Sequence, residues 1–181
     1  MMKGVVFTEF LDFVAARFGE DMVDDIIDAS DLPSGGAYTA VGTYSHAEMA
    51  SLGGALAARS GLPIPALLRD FGEHLSARFA KHYPAFFSRS SELFDFLESI
   101  EGHIHVEVRK LYPDAELPSF TIESRAPERL VMLYRSPRHL EALAEGLILG
   151  SARQFGVAVR VRHEPLEVSD GEGARFVIER R

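Results

Sequence analysis

The sequence contains no cysteine. Disulfides, thiolate catalysis and cysteine-ligated zinc or iron–sulfur centres are excluded together. It also lacks a basic excess: the formal net charge is −8 over 181 residues, whereas a phosphate-binding surface ordinarily shows surplus lysine and arginine, so no nucleic-acid partner is expected. The apolar run in the opening MMKGVVFTEFLDFV is too short to span a bilayer, is interrupted by acidic residues and precedes no small-residue cleavage site. That opening reads as mature, cytoplasmic sequence without a membrane partner. Repeats, low-complexity tracts and long linkers are absent as well.

What is present describes an ordinary globular chain, 46% apolar and 25% charged. A single domain of this length buries roughly two thirds of its unfolded surface, enough to enclose a cofactor. The charge is uneven. Residues 121–181 carry ten arginines against nine acidic groups, and the first 120 residues hold the remaining nine basic and eighteen acidic ones. Five aspartates and one glutamate crowd residues 20–31 around Met22, Val23, Ile26 and Ile27, the pattern of a solvated face on an amphipathic helix.

Helical spacing of Val6, Phe10, Phe13, Val14 and Phe18 predicts a first helix ending at Gly19, and a second from Glu20 to Ala29. Ser45 is expected to cap a third helix running to Ser60, with Glu48 completing a capping box and Gly61 ending it. Pro63 and Pro65 open a fourth, which carries Leu67, Leu68, Phe71, Leu75 and Phe79 as far as Tyr83-Pro84. Ser91 is expected to cap one continuous helix from Glu92 to Leu111, ahead of Pro113. The period then drops to two. Strands are expected at residues 120–123, 130–134, 157–162 and 174–179, with a helix at 139–155 between the pairs and a hairpin turn at Ser169-Asp170-Gly171-Glu172-Gly173. A helical run followed by a strand-strand-helix-strand-strand block is an α+β arrangement with an antiparallel sheet at its C-terminal end.

The strongest chemical constellation is Tyr134-Arg135-Ser136-Pro137-Arg138. On an extended segment, residues at i, i+2 and i+4 project from one face about 6–7 Å apart, so a phenol, a hydroxyl and a guanidinium would point the same way. Pro137 places the stretch at a strand end or edge. Such a row suits a carboxylate-bearing ligand, which arginine can take bidentately. Taken alone, it describes many polar strand edges. The helix expected at 92–111 adds two histidines, His103 and His105. Neutral imidazole is a common metal ligand, but helical histidines are more often structural, and periodicity does not choose between these two.

Further segments accompany these residues: the opening Met2-Lys3-Gly4, the stretch Gly36-Ala37-Tyr38-Thr39-Ala40-Val41-Gly42-Thr43-Tyr44, Phe71-Gly72 with Arg78-Phe79, and the run from His103-Ile104-His105 through Tyr112-Pro113 to Pro118-Ser119-Phe120. With them, nearly the whole chain resembles the H-NOX family, the haem-nitric oxide/oxygen binding domains, in its stand-alone bacterial form and similar to the haem domain of soluble guanylate cyclase. The resemblance implies one haem b held between two parts of a single domain, a helical N-terminal subdomain to about residue 62 and a haem-ligating subdomain from about 63 to 181 with a four-stranded antiparallel sheet. It assigns propionate binding to Tyr134, Ser136 and Arg138. Family spacing places the iron ligand seven residues before the tyrosine of the Tyr-Pro pair, which is His105, with His103 the fallback. Pro118 matches a proline that packs on the haem and distorts it.

Some family members stabilise bound oxygen with a tyrosine five residues beyond the signature arginine, and here that position is Leu143. The matching distal neighbours Phe10, Leu75 and Phe79 are apolar too, so the resemblance implies a nitric oxide and carbon monoxide sensor, with an oxygen sensor the alternative. In this family nitric oxide weakens the trans iron–histidine bond and releases the histidine helix. The chain ends just after its last expected strand, so the signal is expected to pass in trans to a histidine kinase or diguanylate cyclase. A haem enzyme would want a distal acid–base pair, and none is expected. One departure stands out: some bacterial relatives hold zinc with cysteines and a histidine near the C-terminal hairpin, and this chain keeps only His163, so no zinc is expected.

Overall fold

A computed structural model describes residues 1–167 and 172–181. They fall into two compact units, residues 1–67 with 114–116, and residues 68–113 with 117–181.

In the first unit a two-residue strand β1 (Met2–Lys3) pairs antiparallel with β2 (Thr43–Tyr44). Three helices accompany them: α1 (Gly4–Phe18), α2 (Glu20–Asp28) and α3 (His46–Ser60). Phe7, Phe10, Phe13 and Val14 of α1, Ile26 of α2 and Leu52 and Leu56 of α3 are buried, the one-sided stripe that drives helix packing. Gly19 separates α1 from α2 at φ 95°, and Gly61 ends α3 at φ 70°, both in the left-handed region. The stretch 36–44 earns its aromatics by covering the start of α1: Tyr38 stacks on Phe7 at 4.4 Å, and Tyr44 meets both rings edge-on at 5.4 and 4.8 Å. Gly4 must be small there, because a Cβ would fall 1.8 Å from the Thr39 carbonyl oxygen.

Half of the expected capping box forms. The Ser45 hydroxyl accepts the Ala47 N–H at 3.2 Å, but the buried Glu48 carboxylate turns elsewhere, accepting from the Tyr38 hydroxyl at 3.0 Å and from Ser34. Burial, with Glu48 adding to it and Ser34 opposing, pushes the Tyr38 phenol up to about 12. Exposed Asp21, Asp24, Asp25 and Asp28 line α2 as the solvated face its sequence implies.

The second unit contains most of α4 (Ile64–His82), then α5 (Pro84–Ser88), α6 (Leu93–Ser99), α7 (His105–Leu111) and α8 (Glu141–Gln154), with strands β3 (Ser119–Ala126), β4 (Arg129–Arg135), β5 (Val159–Pro165) and β6 (Gly173–Arg180). The sheet is antiparallel throughout, in the order β3-β4-β6-β5. Register aligns its inner face: Leu130 sits opposite Ile178, Met132 opposite Phe176 and Tyr134 opposite Ala174, all buried. Phe94 and Leu97 from α6 and Ala144, Ile148 and Ala152 from α8 complete that core. On the other face Arg175 pairs with Glu123 and Glu164, and Glu179 with Arg129 and Arg162.

Close backbone contact joins α4 to α8. A Cβ on Gly72 would lie 2.4 Å from the Leu143 carbonyl oxygen, and one on Gly146 would lie 2.0 Å from that of Arg69. A turn further along, the buried Ser76 and Ser151 hydroxyls meet at 3.2 Å. Among the described residues no helix is long and apolar enough to cross a membrane.

Several expectations need correction. The helix expected at 92–111 is two α-helices joined by a π-helical turn, Ile100–Ile104, in which the His105 N–H reaches back to the Ile100 carbonyl. Ser91 is not its cap: it donates to Asp95, while Glu92 occupies the cap position. The helix expected from His139 starts at Glu141, with His139 at φ 51° in the preceding loop. Most of the hairpin turn expected at Ser169 to Gly173 lies outside the described residues.

Candidate functional site

His105 opens α7 immediately after the π turn and is buried, at 8% exposure. Its Nδ1 lies 3.2 Å from the Glu101 carboxylate. Burial favours a carboxyl proton, but Glu101 is nonetheless held below the usual carboxylate range by the Phe120 backbone N–H, by His105 and by Arg109. An ionised carboxylate only accepts, so Nδ1 carries the imidazole hydrogen. Burial also pushes His105 below the ordinary imidazole value, with Glu101 opposing and Arg109 assisting. The ring is therefore neutral with its lone pair at Nε2, the form that binds a metal.

His103, two residues earlier in the π turn, has the opposite arrangement. Its Nε2 lies 3.0 Å from the Arg89 guanidinium. A guanidinium cannot accept, so the His103 lone pair is already engaged by Arg89. Of the two, His105 is the one suited to coordination.

Phe120 connects this histidine to the second group of expected residues. Its ring centroid lies 5.8 Å from that of His105 and 5.4 Å from that of Tyr134, while strand register sets Phe120 opposite Tyr134. Tyr134 is the penultimate residue of β4 and only 2% exposed. The strand stops at Arg135, so the extended row expected for Tyr134, Ser136 and Arg138 does not form. Instead Pro137 and Arg138 form a turn, and the buried Ser136 hydroxyl accepts the Arg138 N–H at 3.2 Å. The turn still gathers these groups. Burial raises the Tyr134 phenol, whose neighbours are the Ser136 side chain, Glu141, the Leu140 backbone and Arg138, so it stays protonated as a donor.

The expected apolar positions occupy both units. Leu75 is buried and Phe79 half-buried on α4, Leu143 is half-buried on α8, and Pro118 stands one residue before β3. The α4–α8 contact at Gly72 and Leu143 sets Leu143 a turn away from Leu75. Phe10 is buried on α1 of the first unit. His163 of β5 is engaged at 3.3 Å by the buried Glu145, which also takes Arg69. Sequence reasoning gave Glu101 and Phe120 no role. The available signal was a carboxylate four residues before a candidate ligand, a separation that brings helical side chains together.

A buried neutral imidazole anchored through one nitrogen, and a turn of hydroxyls with a guanidinium, form a donor set that fits an iron porphyrin with acidic side arms. Comparisons agree. Residues 3–163 match the family model described as Haem-NO-binding. Among solved structures, the Fe(II) unliganded H-NOX protein of K. algicida is 40% identical, with a TM-score of 0.92 and coverage of 99% of this chain and 97% of that one. The H-NOX of Shewanella woodyi in the Fe(II)CO state is 34% identical, TM-score 0.84, covering 99% and 95%. That of S. oneidensis in the Fe(II)NO state is 26% identical, TM-score 0.90, covering 99% of each chain. A search of curated proteins found no match. With the family model spanning most of its length, the chain belongs to the Haem-NO-binding, or H-NOX, family.

Proposed function

We propose that this chain is a sensor of nitric oxide and carbon monoxide, holding one haem b through His105 and signalling to a separate protein. The observation that carries the reading is the buried His105 imidazole, whose Nδ1 hydrogen is committed to Glu101 while the other ring nitrogen keeps its lone pair. A haem held by His105 would supply an iron able to take a diatomic gas. Tyr134, Ser136 and Arg138 would receive the propionates.

Leu143, Leu75 and Phe79 would form the distal wall within the second unit. None carries a hydrogen-bond donor, so none can stabilise the partial negative charge that iron places on oxygen. The same side chains offer no acid–base pair for cleaving an O–O bond, which favours sensing over catalysis. Relatives from S. oneidensis and S. woodyi are known with NO and CO bound, respectively, in keeping with this gas preference. Output would go in trans, to a histidine kinase or diguanylate cyclase. His105 begins its helix directly after a π turn, and such turns recur at functional sites. As the first residue of α7, His105 would couple the site to that helix, the element that would carry a two-state shift.

Two spectra test the proposal. Ferrous protein in air should show no stable oxygen complex yet bind nitric oxide and carbon monoxide, and a persistent oxygen complex would contradict the gas assignment. His105→Ala should lose haem and regain it with exogenous imidazole; undiminished haem binding would remove His105 from the role.

A further inference from the structure

We infer that Glu101 is a positioning residue whose negative charge sets the strength of the bond between His105 and iron, and so the ease with which that histidine is released. This rests on His105 being the ligand.

Three contacts fix the carboxylate. One oxygen, Oε2, lies 3.2 Å from His105 Nδ1 and also accepts the Phe120 backbone N–H at 3.1 Å, while Oε1 lies 3.6 Å from the Arg109 guanidinium. Each contact arises from local structure. Glu101 lies in the π turn, four residues before His105, which places both side chains on one face. Phe120 is the second residue of β3, so its N–H is supplied by the sheet. Arg109 follows His105 by one helical turn.

An anionic acceptor at Nδ1 gives the imidazole partial imidazolate character, fixes its tautomer and makes Nε2 the stronger donor to a metal. A neutral acceptor at the same place would orient the ring without that electronic push. Arg109 withdraws part of the charge, so the donor strength of His105 is set by a carboxylate balanced between an imidazole, an amide and a guanidinium. The shared oxygen has a second consequence. A histidine that moves off its iron must stretch the Nδ1 hydrogen bond or carry Glu101 along, and the latter strains the bond to β3. Glu101 thus resists release twice, through the electrons it donates to the ring and through its attachment to the sheet.

Glu101→Gln separates charge from shape, because the amide oxygen can still accept from both His105 and Phe120. In haem-loaded ferrous protein, the iron–histidine stretching band in the resonance Raman spectrum should shift to lower frequency, and haem affinity should fall about 10-fold or more. The Phe120 amide should keep its hydrogen-exchange protection. Glu101→Asp, which restores charge on a shorter arm, should bring the band part of the way back. An unmoved band in folded, haem-loaded Glu101→Gln overturns the inference while leaving His105 as the ligand. A wild-type protein that shows no iron–histidine band fails at the earlier step, the choice of ligand.

Discussion

Whether a histidine can be a ligand is decided at the residue by what its neighbours can donate or accept. His103 and His105 are two positions apart in one π-to-α segment, yet Arg89 engages the lone pair of the first and Glu101 leaves that of the second available. His103→Ala should therefore leave haem uptake within about two-fold of wild type, a peripheral substitution by the usual scale of surface effects; a loss matching that of His105→Ala in a haem titration would reverse the choice. The turn at Ser136 and Arg138, proposed to receive the propionates, is open to the same kind of test. A hydrogen bond to a charged group contributes about 1.5–3 kcal/mol, so Ser136→Ala should weaken haem binding by about that amount. Equal affinity in Ser136→Ala and wild type would mean that the Ser136 hydroxyl only shapes the turn.

Elements show why some of this was legible in the sequence and some was not. Helix ends marked by Gly19 and Gly61 were readable because each occupies a left-handed conformation that other residues resist. The π turn at Ile100–Ile104 was hidden, since Leu93, Phe94, Leu97, Ile100 and Ile104 keep a helical spacing through it and one added residue leaves no compositional mark. The spacing of Glu101 to His105 was open to view, but the Phe120 amide that also holds the carboxylate comes from a strand 19 residues on, which no local pattern reveals. Tyr134, Ser136 and Arg138 were identified as a group, but through a strand geometry that stops at Arg135; a tight turn reunites them. The α4–α8 contact was not foreseen, although Phe71-Gly72 lies within it: a glycine in a helix signals a close approach without naming its partner. A Cβ on Gly72 would meet the Leu143 carbonyl oxygen and the Leu147 amide nitrogen, at 2.4 and 2.8 Å. Both are backbone atoms that cannot swing aside. Gly72→Ala should cost about 1–3 kcal/mol, read as a lower urea midpoint, and an unchanged midpoint would show that the helices can part without penalty.

At the scale of the whole molecule, composition excluded more than it identified. Absence of cysteine removed disulfides and thiolates, and the α+β class followed from the change of period near Pro113. The fold itself contains a buried imidazole and buried hydroxyls suited to a ligand, and a ligand that binds only the folded chain stabilises it by mass action. Free haem at 100 times its dissociation constant should add about 2.7 kcal/mol, visible as a higher melting temperature. His105→Ala should lose most of that increment.

The most direct measurement is an anaerobic titration of the purified chain with ferrous haem, followed by visible absorption and run in parallel on His105→Ala. Wild-type protein should saturate at one haem per chain with the spectrum of a histidine-ligated iron, and the variant should do so only when imidazole is added. A chain that stays colourless, or a variant that takes up haem as well as its parent, would contradict the account.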